Sequence, residues 1–416
     1  MSVMAGLASN SIDAVATDPP YGLGHAGHEW SQPGFDGARD GEPASGRFGR
    51  SDAVVAGRYD RTITGQRRFQ EWCETWATQA LRVLRPGGHL LAFSSPQSYH
   101  RLAAGVEDAG FEVRGQIAWL FSEGFPKALN VAKAFDRAAG VDVDDAGWEP
   151  QTAEAARWAG WHTALKPAHE PIVIARKPLA ARNVPANLRA HGVGALNIDG
   201  ARIPLVGGER LHDFARTHDG CTFVPHPAGR FPADVILSPA AAEQLDTATG
   251  VLVSGANPTR RTSAKSTGRV YGRFDGQQAC APVRGRDVGG GSRFYYCARA
   301  APGERDAGCE EWGGNPHPTP KPIALMSYLI GLVTPPGGTV LDMFAGSGST
   351  GIAAILGGFV FIGGEREPMP QMPRRPYVEV ARARLRYWQH HPEGPVYPPS
   401  TAPPAAQATL FAASDL

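Results

Sequence analysis

Val340-Leu341-Asp342-Met343-Phe344-Ala345-Gly346-Ser347-Gly348-Ser349-Thr350 reads as an apolar strand that runs into a glycine-rich turn and opens a helix. Glycines let backbone approach a ligand closely, and a helix N-terminus presents free N–H groups. Alone, the stretch fits either a nucleotide site or a plain tight turn. The next strand, Phe361-Ile362-Gly363-Gly364-Glu365, sharpens it by placing a carboxylate at its C-terminal end, where an acid accepts hydrogen bonds from ribose hydroxyls in doubly wound folds. The glycines do not follow the dinucleotide spacing, which fits an adenosine ligand without a pyrophosphate.

Outward from this centre, strands and helices alternate. Residues 12–17 form a short apolar strand ending at Asp18. Phe69, Trp72, Cys73, Trp76, Ala80 and Leu84 mark a helical stripe, which Pro86-Gly87-Gly88 is expected to stop. A strand over 89–94, a helix over 96–109 and strands over 111–121 and 171–175 follow. After about residue 180 the pattern breaks into a Gly- and Arg-rich region with short apolar runs such as 233–237, expected to be separate and less regular. It resumes with a helix over 322–333, strands over 339–344 and 359–363, and helices over 349–357 and 377–389. The fold class is therefore α/β, a doubly wound and mostly parallel sheet split by an insertion. The Pro/Ala-rich end, 391–416, is expected to be disordered.

The chain has 416 residues, 42% hydrophobic and 19% charged, with 51 glycines, 36 prolines and a formal net charge of +1. It can bury a real core, and no global charge marks a nucleic-acid binder. Locally, Arg260, Arg261, Lys265, Arg269, Arg273, Arg284, Arg286, Arg293 and Arg299 face only Asp275 and Asp287, a local net of +7. A solvated loop and a polyanion-binding face both fit that cluster. The scattered Cys73, Cys221, Cys280, Cys297 and Cys309 suggest neither a disulfide framework nor a zinc site, and no metal is implied. No apolar run approaches a membrane span, and the first residues do not resemble a signal peptide, so a cytoplasmic protein is expected. Residues 22–61 read as a long loop.

Asp18-Pro19-Pro20-Tyr21 follows the first strand directly. Asp-Pro alone would be a turn. An amino group on a heteroaromatic ring is a poor nucleophile, because its lone pair is delocalised into the ring. A carboxylate and a rigidly held prolyl carbonyl can accept its two N–H groups and localise that pair, while an aromatic side chain offers a stacking face for an extruded base. His317-Pro318-Thr319-Pro320-Lys321-Pro322 is a stiff entry to the helix before the glycine loop.

Together these motifs resemble the amino-methylating DNA methyltransferases, in particular the circularly permuted group whose DPPY box precedes its FxGxG box. Further stretches resemble the phage and prophage branch: residues 84–93, 124–127, 165–171, 194–199 and 292–296. The resemblance implies a class I S-adenosylmethionine-dependent methyltransferase fold. Its catalytic domain would be made of residues 1–179 and 311–390, with 180–310 as a target-recognition region. It implies that Asp18, Pro19, Pro20 and Tyr21 are catalytic. S-adenosyl-L-methionine would be held by Asp342, Phe344, Ala345, Gly346, Gly348, Thr350 and Glu365, with Thr319 and Lys321 at its methionine end. Double-stranded DNA would be gripped by Arg260, Arg261, Lys265, Arg269, Arg273, Arg284, Arg286 and Arg293. The expected activity is site-specific methylation of adenine N6 after base flipping. The alternatives are cytosine N4 or a catalytically impaired DNA-binding remnant.

Three departures accompany the resemblance. Relatives carry a strand ending in Gly-Asp-Cys ahead of the region matching Ile12, which this sequence lacks and which would lie at a sheet edge. Residues 369–375 look like an insertion, and the loop 24–61 is long. Finally, Gln407-Ala408-Thr409-Leu410-Phe411 resembles the QxxLF peptides that bind bacterial sliding clamps.

Overall fold

The computed structural model describes residues 2–22, 62–124, 128–144, 147–205, 226–255, 284–365, 377–393 and 408–412. The loop 24–61, the stretch 125–127, Cys221, Cys280 and the insertion 369–375 lie outside them. So do Arg260, Arg261, Lys265, Arg269 and Arg273.

Eleven strands are present among the described residues: β1 (Ile12–Thr17), β2 (Leu84–Phe93), β3 (Glu112–Leu120), β4 (His169–Arg176), β5 (Val235–Leu237), β6 (Leu252–Gly255), β7 (Arg284–Gly289), β8 (Tyr296–Cys297), β9 (Thr339–Asp342), β10 (Val360–Glu365) and β11 (Ala408–Ala412). Nine form one sheet in the order β11-β10-β9-β1-β2-β4-β3-β5-β8, while β6 and β7 pair separately. β4 runs antiparallel to β2 and β3, and the other pairs of the large sheet are parallel. This is the α/β architecture with a large, mostly parallel central sheet.

The central strands β1, β2 and β9 are buried on both faces, as a helix-covered sheet requires. Ala14, Ala16, Leu91 and Phe93 join a core with residues of the helices Ile323–Val333, Ser349–Leu356 and Tyr377–His390. Val15, Leu90, Ala92 and Leu341 face the other way, onto Phe69, Cys73 and Trp76 of the helix Ile63–Val83 and Leu102 and Val106 of the helix Tyr99–Asp108. Every residue of Ile323–Val333 is buried, which matches a sequence that is apolar but for Ser327 and the Tyr328 hydroxyl.

Three expectations are adjusted. The first long helix ends at Val83 with Leu84 as its cap, two residues before Pro86, and Asn10 and Ser11 donate backbone N–H groups to the Arg82 and Val83 carbonyls. Leu84 then pairs with Ile12, and residues 85–88 form a bulge before Ala14 meets His89. That bulge accommodates a proline that has no N–H for the ladder. Within 180–310, where a less regular region was expected, β5 and β8 extend the main sheet beyond β3, while β6 and β7 pair apart from it. The two flanking parts also share that sheet, through β1 paired with β9. The tail is not disordered throughout: β11 pairs in parallel with β10, Phe361 opposite Ala408 through Glu365 opposite Ala412. Four of the five residues of the clamp-like peptide thus lie in β11. No helix among the described residues is long and apolar enough to cross a membrane.

His89 on β2 is 4% exposed, and its Nδ1 has no hydrogen-bond partner. Burial, helped by Arg176 and Arg114, lowers its pKa to about 4. The unfolded chain therefore takes up this proton first, so stability present above the unfolded value of about 6.5 is lost as the pH falls toward the folded value. Urea titrations should lose up to about 3 kcal/mol between neutral pH and about pH 4 from this group, and His89→Leu should flatten that part of the slope.

Candidate active site

The two key loops leave the same edge of the sheet because β1 and β9 are adjacent and parallel, with Ala14 opposite Val340 and Val15 opposite Leu341. Asp342 joins them. It is 2% exposed, its Oδ1 accepts from Thr17 Oγ1 at 2.6 Å and Phe344 N at 3.0 Å, and its Oδ2 accepts from Thr350 Oγ1 at 2.6 Å. Burial pushes its carboxyl up to about 6, with the Thr17, Thr350 and Phe344 donors pulling the other way and the Asp18 charge adding to the rise. Asp342 and Thr350 thus brace the loop from inside.

In the loop, Gly346 and Gly348 hold φ of +52° and +84°, which side chains disfavour. A Cβ on Gly346 would lie 3.0 Å from His317 Nε2. Glu365 Oε2 accepts from Gly346 N at 2.6 Å, and Ala345 N donates to the Gly364 carbonyl, so the end of β10 fixes the turn. Phe344 packs against Trp72 and Trp76, with ring centroids 5.7 and 5.9 Å away. His317 sits against Tyr377, and Thr319 N donates to its Nδ1. Burial lowers the His317 pKa to about 4, although Asp18 opposes that shift.

Lys321 extends into the Asp18 box. Its Nζ is 2.5 Å from Asp18 Oδ2 and 3.3 Å from both Glu170 Oε2 and the Tyr21 hydroxyl oxygen. The Tyr21 hydroxyl donates to Asp18 Oδ1 at 2.7 Å and reaches Glu170 Oε2 at 3.0 Å. The rings of Phe93 and Tyr21 lie 5.0 and 5.7 Å from the ammonium. Burial works against this charge, yet Asp18 and Glu170 outweigh it and hold the ammonium well above the ordinary lysine range. Burial and the same two carboxylates keep the Tyr21 phenol protonated.

Sequence reading assigned Glu170 no role; it lies on β4, 149 residues from Tyr21. A buried brace behind the glycine loop was also missed. Arg384, 1% exposed, donates to Ser347 O and Oγ and to Glu304 O, while Asn315 Nδ2 also reaches Ser347 Oγ. The signal was an arginine on the apolar stripe of the last helix, beside Ala381, Leu385 and Trp388.

Of the predicted DNA contacts, Arg284 and Arg286 lie in β7. Arg293 donates to the Gly289 and Gly290 carbonyls and lies 4.2 Å from the Phe294 ring centroid, so its guanidinium is engaged within the chain. Arg230 lies 5.2 Å from the same ring, and Arg202 lies 5.9 Å from Phe231. Phe231 and Phe294 remain 66% and 38% exposed.

The DNA methylase family model for N6/N4 methyltransferases matches residues 12–369, and the chain belongs to that family, which is S-adenosylmethionine-dependent. The type II methyltransferase M.HindIII of Haemophilus influenzae is 28% identical over 197 residues, 46% of this chain and 60% of that protein. The type II methyltransferase M2.DpnII of Streptococcus pneumoniae is 41% identical over 76 residues, 18% of this chain and 25% of that protein. The chain therefore covers less than two thirds of either relative. Among solved structures, the cytosine-N4-specific PvuII DNA methyltransferase shares 13% identity at a TM-score of 0.40, over 92% of this chain and 89% of that one. A DNA modification methylase of Thermus thermophilus, complexed with S-adenosyl-L-methionine, shares 16% identity at a TM-score of 0.38, over 93% of this chain and 92% of that one.

The residues present suit the cofactor. The Gly346–Gly348 turn leaves a cradle at the N-terminus of the helix Ser349–Leu356, and Glu365 brings a carboxylate to its rim. Because Asp342 serves three donors at once, Asp342→Asn leaves at least one of them without an acceptor. Urea unfolding should show a loss of about 2–4 kcal/mol, whereas Thr350→Val, which removes one donor, should lose about 1 kcal/mol.

Proposed function

We propose that this chain methylates the N6 amino group of adenine in duplex DNA, at a specific site, on a base turned out of the helix. One observation carries the reading: the Asp18 carboxylate is held at the end of β1, beside a glycine loop to which Thr17 and Asp342 tie it. S-adenosylmethionine supplies an electrophilic methyl group on a sulfonium sulfur. Phe344, Ala345, Gly346, Gly348 and Glu365 would hold it, with Thr319 at its methionine end. Asp342 and Thr350 keep that cradle in shape.

Asp18 accepts one N–H of the target amino group and the Pro19 carbonyl accepts the other, which localises the nitrogen lone pair. Both Asp18 oxygens are already oriented, one by the Tyr21 hydroxyl and one by Lys321. The carboxylate therefore needs little reorganisation when the base arrives. Tyr21 offers its ring to the extruded base. The acidic first residue of the box supports adenine over cytosine N4. The basic run 260–299 and the arginine-flanked Phe231 and Phe294 supply phosphate and stacking contacts.

Modification-aware sequencing of DNA from cells expressing the chain should reveal N6-methyladenine at one short motif. N4-methylcytosine would replace the assigned base, and unmodified DNA would refute the activity. Asp18→Ala should slow transfer by at least about 1,000-fold while cofactor affinity stays within about threefold.

A further inference from the structure

The proposed transfer gives Glu170 no part, and Lys321 only the orienting of one Asp18 oxygen. A buried lysine on the key carboxylate should hinder it: an Asp18–Lys321 pair alone is neutral and already engages one carboxylate oxygen. Yet the ammonium, with its side chain 10% exposed, touches a second carboxylate, and that carboxylate also shares the Tyr21 hydroxyl. Glu170 is fixed by its strand, since Trp119 of β3 lies opposite it in the ladder. Asp18, Glu170, Lys321 and neutral Tyr21 therefore carry one excess negative charge.

We propose that Glu170 is a positioning residue for methyl transfer, acting through Lys321 and Tyr21 to keep the Asp18 box one negative charge in excess. The inference rests on the amino-methylating activity proposed above. As the N–C bond forms and the sulfonium C–S bond breaks, its electron pair stays on sulfur and the amino nitrogen gains the positive charge. That nitrogen then sheds one proton, with Asp18 as the adjacent base and water as the final acceptor. A box of net charge −1 favours this gain, whereas a neutral box does not. Glu170 also gives the Lys321 ammonium a second seat. When Asp18 also accepts from the amino group, its hold on Lys321 weakens, and the buried cation still keeps a second counter-ion.

The test is methyl incorporation into bulk genomic DNA from a methylation-deficient host, paired with calorimetric S-adenosylmethionine affinity. Glu170→Gln should lower kcat by at least about tenfold and leave cofactor affinity within about threefold. Lys321→Met combined with Glu170→Gln restores the net charge of −1 with Asp18 alone, and should turn over at least about threefold faster than Glu170→Gln by itself. A purely structural role predicts that the double variant is no faster than the single one. Undiminished turnover by Glu170→Gln, or a double variant no faster than it, overturns the proposal while the activity stands. Absence of transfer by the unchanged protein overturns both.

Discussion

The arrangement depends on the hydrogen bonds converging on Asp342. One buried carboxylate binds the last residue of β1, the turn after β9 and the first helical turn beyond it. Residues more than 300 positions apart in the sequence are thereby held to a fixed separation, and the strand register does the rest. A carboxylate is suited to this because it accepts several hydrogen bonds at once, and the low-dielectric surroundings strengthen each of them. The same burial raises its pKa toward the range in which it would take a proton. The glycine loop and the Asp18 box therefore share one electrostatic anchor.

Around that anchor, buried cations are held by partners that would be costly to remove. Arg384 is buried against the Ser347 and Glu304 carbonyls behind the glycine loop, and Lys321 is buried against two carboxylates in front of it. Removing one partner strands the other without solvent. Geometry of this kind is held by satisfaction of polar groups as much as by apolar packing.

Much of the central sheet was legible because its strands are continuous apolar runs ended by a polar residue, as at Thr17–Asp18 and Leu341–Asp342. The glycine turn was legible for the same local reason. What escaped reading is non-local. Leu84, which continues the helical stripe in sequence, instead opens β2 opposite Ile12. β5 and β8 span three and two residues, too short to carry a period, and exist because β3 offers them an edge. Glu170 enters the box only because β4 turns back antiparallel beside β2, which no spacing in the chain announces.

β11 gives the tail a second character, that of a tethered ligand. Ala408–Ala412 supplies the outermost strand beside the one that ends in Glu365. A strand covalently attached to its partner meets it at an effective concentration that a free competitor must exceed. Any partner that reads the same residues as an extended peptide competes with that concentration. Winning would leave the backbone of β10 unpaired on one side, next to the carboxylate that fixes the glycine turn. Capture of the tail and order at the cofactor edge are thus coupled through a single ladder of hydrogen bonds.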